Sequence, residues 1–132
     1  MVRTALACIM MGLGASLFLG CEEVEEQAAC EPLDSPSFQN VYSLVLEKSC
    51  AVGGSCHGGG ATAGGLDLQD EAISYASLLE TESVVPGSAS ASTLMSRLDS
   101  SVNHPLHMPP GYLLTEAERC MIATWINEGA EP

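Results

Sequence analysis

The sequence predicts an all-α fold, a small helical domain carried behind an export leader and a linker. Two observations predict it. Apolar residues recur at helical spacing in four separate segments, which marks faces that must be buried. Three of those segments open on Ser37, Asp70 or Thr115, side chains that accept hydrogen bonds from the free N–H groups of a first helical turn.

Residues 1–20 carry Arg3 near the start, an apolar run from Ala5 to Leu19 and a small residue before Cys21, the pattern of an export signal. The run is too short to read as a membrane-spanning helix. Phe18-Leu19-Gly20-Cys21 resembles a bacterial lipobox, in which Cys21 receives a diacylglyceryl group and becomes the first residue of the mature chain. An ordinary secretory signal or an uncleaved anchor are the alternatives, and each of them places the domain outside the cytoplasm. Residues 21–37 are acidic, contain Pro32 and Pro36 and lack a sustained apolar period, so they read as a tether.

The folded domain is expected over residues 38–132. Phe38 to Glu47 forms the first helix, with Phe38, Val41, Tyr42, Leu44 and Val45 on one face that leads into Cys50. Gly58 to Gly65 is a glycine-rich loop without helix or strand period, and it lacks the Lys and Ser/Thr of a phosphate loop. Glu71 to Glu80 forms the second helix, with Ile73, Ala76 and Leu79 expected to face inward. Pro86-Gly87 makes a turn, and a short helix carrying Leu94, Met95 and Leu98 follows. Thr115 and Glu118 form a capping box for the last helix, which stops at Gly129 and turns Met121, Ile122, Trp125 and Ile126 inward. No internal repeat is evident.

Without residues 1–20, three basic side chains (Lys48, Arg97, Arg119) stand against seventeen acidic ones, a net charge of −14. Such a chain repels nucleic acid and anionic headgroups, so nucleic-acid binding is excluded and membrane attachment has to come through a lipid anchor. An acidic surface suits a basic redox partner and also serves solubility. With few aromatics and about ninety residues, the core needs a staple: disulfides or a buried prosthetic group.

Cys50-Ala51-Val52-Gly53-Gly54-Ser55-Cys56-His57 carries the chemistry. Two thiols followed at once by an imidazole suit covalent haem attachment, where thioethers hold the porphyrin and the histidine ligates iron. The usual spacing has two intervening residues; here there are five, and Gly53 and Gly54 would let the surplus loop out. Two other readings stay open. Cys50 and Cys56 could close a disulfide loop, or they could bind a divalent metal with His57.

Further matches lie outside this run. After Cys56-His57-Gly58 come Ala63-Gly64-Gly65-Leu66-Asp67-Leu68, Tyr75, Leu78-Leu79 and Val85-Pro86-Gly87, then Ser92, Leu94 and Arg97. His107-Met108-Pro109-Pro110-Gly111 and Trp125-Ile126-Asn127-Glu128-Gly129-Ala130 follow. In these motifs and their order, Phe38 to Ala130 resembles the small class I cytochrome-c-like domains of exported planctomycete and myxobacterial proteins. The chain departs from that pattern in the long cysteine gap and in Ala89, where proline is common.

The resemblance implies one haem c, with Cys50 and Cys56 as thioethers, His57 as proximal ligand and Met108 as sixth ligand. His57 would donate its other ring N–H to a carbonyl. His104 and His107 rival Met108 for iron, with solvent-exposed loop histidines as the alternative reading of each. Arg97 could pair with a propionate, and Trp125 could pack on the porphyrin or anchor the first helix to the last. Because the first and last helices cross in that fold, Cys30 and Cys120 could form a disulfide. The implied function is single-electron transfer with a redox partner protein at the cell envelope, and no enzymatic activity. A haem-free, disulfide-stapled helical interaction or structural module with the same outline is the alternative.

Overall fold

A computed structural model describes residues 30–54 and 56–132; the expected signal 1–20, the lipidation site Cys21 and the first part of the tether lie outside the described residues. The described residues contain helices and turns and no strand, in agreement with the all-α expectation.

The first helix, α1, runs through an α-helical turn Phe38–Val41, a π-helical stretch Tyr42–Leu46 and a final turn Glu47–Ser49. Ser37 caps it, its Oγ accepting the Asn40 N–H at 3.3 Å. The helix runs two residues past the expected end at Glu47. Its C-terminus is tied off by the N–H groups of Cys50 and Ala51, both donating to the Leu46 carbonyl at 2.9 Å.

A single 3₁₀ turn, Ala63–Gly65, interrupts the glycine-rich loop. Helix α2, Glu71–Glu80, is capped by Asp70, whose Oδ1 accepts the Ile73 N–H at 2.9 Å. Its inward face differs from the expected one: Ser74 and Leu78 are buried, Ile73 and Leu79 are half-buried, and Ala76 is exposed. The reason is that Ser74 Oγ donates to the Asp70 carbonyl at 2.6 Å. With its hydroxyl satisfied inside the helix, this small side chain can be buried without an unpaired polar atom.

The 3₁₀ turn Ala89–Ala91 leads into helix α3, Thr93–Leu98, which buries Leu94, Met95 and Leu98 as expected. Ser92, also buried, closes the preceding loop: its Oγ accepts from the Val85 N–H and donates to the Ser88 carbonyl, each at 2.9 Å. The last helix, α4, Glu116–Asn127, starts at the Thr115/Glu118 capping box and ends where Gly129, at φ 114°, turns the chain back.

The core lies between α1 and α4. Phe38 stands 5.1 Å from the Trp125 ring and 5.1 Å from the Tyr75 ring, the latter edge-on. Trp125 Nε1 donates to the Glu131 carbonyl at 2.7 Å, and the Tyr75 hydroxyl donates to the Ala130 carbonyl at 3.0 Å, so the chain's end is pinned to this cluster. Trp125 is therefore the anchor between the first and last helices.

Cys30 is disulfide-bonded to Cys120 of α4, and the Leu33 N–H donates to the Ala117 carbonyl at 3.1 Å. Residues 30–37, expected to belong to the tether, are thus held along α4, and the ordered body starts before Phe38.

Candidate functional site

Between α1, the glycine-rich loop, α3 and the Met-Pro-Pro loop lies a cavity of about 380 Å³, within the range of small-molecule and cofactor sites. One wall carries Cys50, Cys56 and His57; the facing elements contribute Leu94 and Leu98 from α3 and Met108 from its loop. The tertiary structure thus brings together all four residues singled out for haem. His104 and His107 do not line the cavity, and neither does Trp125.

The long cysteine gap closes on itself. The His57 N–H donates to the Cys50 carbonyl at 3.2 Å, joining the two ends of the loop, while Val52, Gly53 and Gly54 stand exposed. Gly53 sits at φ 71°, a left-handed conformation that glycine adopts without strain. The extra residues are therefore spilled outward, as the glycines suggested. Gly58 is required for another reason. It is buried, and a β-carbon there would run into the Ala51 backbone, 2.9 Å from its carbonyl carbon. Only a bare Cα lets the chain after His57 pass under the chain after Cys50.

His57 is gripped by residues 66–68. Its carbonyl accepts the Leu68 N–H, and its Nδ1 lies 3.3 Å from the Leu66 carbonyl. A carbonyl only accepts, so Nδ1 carries the proton and Nε2 keeps its lone pair. This tautomer suits a metal-ligating imidazole, with a backbone carbonyl holding the ring. The sequence anticipated a carbonyl partner without saying which one.

Cys50 is buried and Cys56 half-buried, and both are free thiols, not bridged to each other. Burial pushes the Cys50 thiol up to about 12, with repulsion from a charged Cys56 adding to it. Among the described residues no cluster of three or more His, Cys, Asp or Glu could hold a metal ion, which removes support from the Cys50/Cys56/His57 metal reading.

Met108 is half-buried, its backbone N–H donating to the Arg97 carbonyl at 3.1 Å, and Pro109 and Pro110 restrict the chain after it. Arg97 itself lines the cavity and, among the described residues, is the sole formally charged one that does so. His107 corrects an expectation. It is 3 % exposed rather than solvent-facing, with Nε2 2.9 Å from the Tyr112 carbonyl and Nδ1 3.2 Å from Ser100 Oγ. Both ring nitrogens are occupied away from the cavity. His104 is exposed, and its Nδ1 accepts the Leu106 N–H at 3.2 Å.

Residues 54–111 match the family model described as Planctomycete cytochrome C. Over that stretch the chain is similar to the cytochrome-c-like domains of planctomycete proteins. The matched stretch takes in Cys56, His57 and Met108 and begins after Cys50, so the first thiol and its outward loop belong to this chain's own reading. No curated protein and no solved structure matches the chain. Similarity to a cytochrome c family points to haem binding and electron transfer, the role of an electron carrier.

The cytochrome-c-like cavity can be tested for fit to haem from its own residues. An imidazole with a free Nε2, a soft thioether across the space and apolar walls from Leu66, Leu68, Leu94 and Leu98 are the donor set and surroundings that haem iron takes. Two unbridged thiols on the imidazole's side supply what thioether attachment consumes. The residues fit.

Proposed function

We propose that this protein is a single-haem electron carrier of the bacterial cell envelope, lipid-anchored through Cys21, with haem c held by Cys50, Cys56, His57 and Met108. The observation that carries the reading is the convergence of those four side chains on one apolar cavity, with the His57 tautomer set by the Leu66 carbonyl. Haem, when bound there, supplies a one-electron ferric/ferrous couple.

The chain's own part is to hold and to insulate. The Leu66 carbonyl fixes the imidazole so that Nε2 keeps its lone pair, and the outward loop of Val52 to Gly54 allows Cys50 and Cys56 to line one cavity despite their spacing. The leucine walls would give a bound haem apolar surroundings, which favour the less charged ferrous form. Met108 would supply the thioether as the second protein ligand to the haem iron. Arg97 offers a cation to a propionate. The excess of acidic side chains suits a basic redox partner, and the export-signal pattern of residues 1–20 supports an exchange outside the cytoplasm.

The test is to express residues 21–132 behind a periplasmic signal in a host with c-type maturation machinery, then record the pyridine haemochrome spectrum and the intact mass. A c-type spectrum with a haem-sized mass increase is expected. A colourless protein, in a host where a control cytochrome matures, would overturn the electron-transfer reading in favour of the haem-free module.

A further inference from the structure

We propose that His107 is a positioning residue for Met108: it acts through the loop that presents the thioether and never touches the cofactor. The inference rests on the reading of Met108 as sixth ligand and adds the device that holds it.

The segment between α3 and α4 runs from Asp99 to Thr115 without a helix or strand of its own, yet it must present one sulfur at a defined place in the cavity. Methionine is unbranched and flexible, so an unsupported Met108 would sample many positions away from the metal. Two connections limit it. The first is the Met108 N–H to the Arg97 carbonyl at 3.1 Å, which ties the loop to the end of α3. The second is the ring of His107.

That ring is buried and spans the loop from one flank to the other. Nε2–H donates to the Tyr112 carbonyl at 2.9 Å on the far flank; on the near flank Nδ1 faces Ser100 Oγ at 3.2 Å. Ser100 Oγ also lies 2.9 Å from the Arg97 carbonyl, the same oxygen that accepts from Met108. Ser100 Oγ has one proton for two acceptors, the Arg97 carbonyl and Nδ1, so Arg97, Ser100, His107, Met108 and Tyr112 form one network in which that proton serves one acceptor at a time. Removing the ring leaves the Tyr112 carbonyl without its donor and Ser100 Oγ with the Arg97 carbonyl alone. His107 lines no part of the cavity, so its effect on the metal must pass through a neighbour that does, and Met108, covalently next to it, is the neighbour that would ligate.

The experiment uses the haem-loaded protein and three variants: His107→Leu, His107→Gln and Met108→Ala. The readouts are the thioether-to-ferric-iron charge-transfer band and the apparent affinity for added imidazole, which binds iron only when the thioether is off. His107→Leu is expected to weaken or abolish the band and to raise imidazole affinity at least about tenfold, corresponding to about 1.4 kcal/mol in the thioether-on equilibrium. His107→Gln, whose amide can both donate and accept, is expected to recover most of the band. Should His107→Leu fail to accumulate, Ser100→Ala removes the Nδ1 partner together with its contact to the Arg97 carbonyl, and is expected to move both readouts in the same direction. Parent-like band and affinity in His107→Leu, or in Ser100→Ala where it stands in, would overturn the proposal. If Met108→Ala is itself parent-like, the reading of Met108 as ligand fails first and the proposal falls with it.

Discussion

Removing the Cys30–Cys120 disulfide, by Cys30→Ser with Cys120→Ala, is the most quantitative perturbation the fold offers. The bridge joins residues 90 apart, nearly the whole ordered chain, so it restricts the unfolded ensemble strongly. Loop-closure entropy for a loop of that length corresponds to about 4.6 kcal/mol at 25 °C. For an ordered body of about one hundred residues the unfolding entropy is about 0.2 kcal/mol/K, so the midpoint should fall by about 20 °C. Alanine at the buried Cys120 position and serine at the exposed Cys30 position keep the other consequences small. The assay is thermal unfolding followed by circular dichroism, for parent and double variant, each with and without reductant. Reductant should lower the parent to the variant's midpoint and leave the variant unchanged. A variant within about 5 °C of the parent, or one as sensitive to reductant as the parent, would refute the argument that this staple offsets the small core.

Three further outcomes follow from particular contacts. Gly58→Ala should cost about 1–3 kcal/mol, because the new methyl group meets the Ala51 backbone, and should lower haem incorporation by spreading Cys50 from His57; denaturant melts and haem content check both. In the haem-free protein, stability should fall as pH rises from about 9 towards about 12. The Cys50 thiol is held neutral in the fold but ionises in the unfolded chain, so protons are lost on unfolding, with a slope of at most about 1.4 kcal/mol per pH unit. Below the ordinary thiol range that contribution is fully present, and Cys50→Ala should flatten the alkaline fall. Thr115→Ala should destabilise by about 1 kcal/mol, since it removes the Oγ1 that accepts the Glu118 N–H at 3.2 Å and one arm of the capping box; chemical denaturation measures it.

Much of this was legible in the residues because it is local. Caps at Ser37, Asp70 and Thr115, the stop at Gly129 and the inner face of α4 depend on spacing within one helix. The face of α2 was misread because hydrophobicity ranks Ala76 above Ser74, whereas a serine that satisfies itself within the helix is the better residue to bury. His107 was misread for a related reason. Histidines in a loop between prolines look solvated, and nothing in their spacing shows that Ser100 and the Tyr112 carbonyl will enclose one of them.

The sequence by itself determined the chemical inventory: two thiols, an imidazole and a thioether, in segments that also carry the glycines or prolines that shape them. It also determined the helices on which the framework rests, because capping and amphipathic period act within a few residues. Only the tertiary structure decided which groups meet. The Leu66 carbonyl chooses the His57 tautomer, the Arg97 carbonyl holds Met108, and the outward loop lets Cys50 and Cys56 line the same wall. Those partnerships join loops whose backbone hydrogen bonds are satisfied across the fold rather than along it, so no local pattern encodes them.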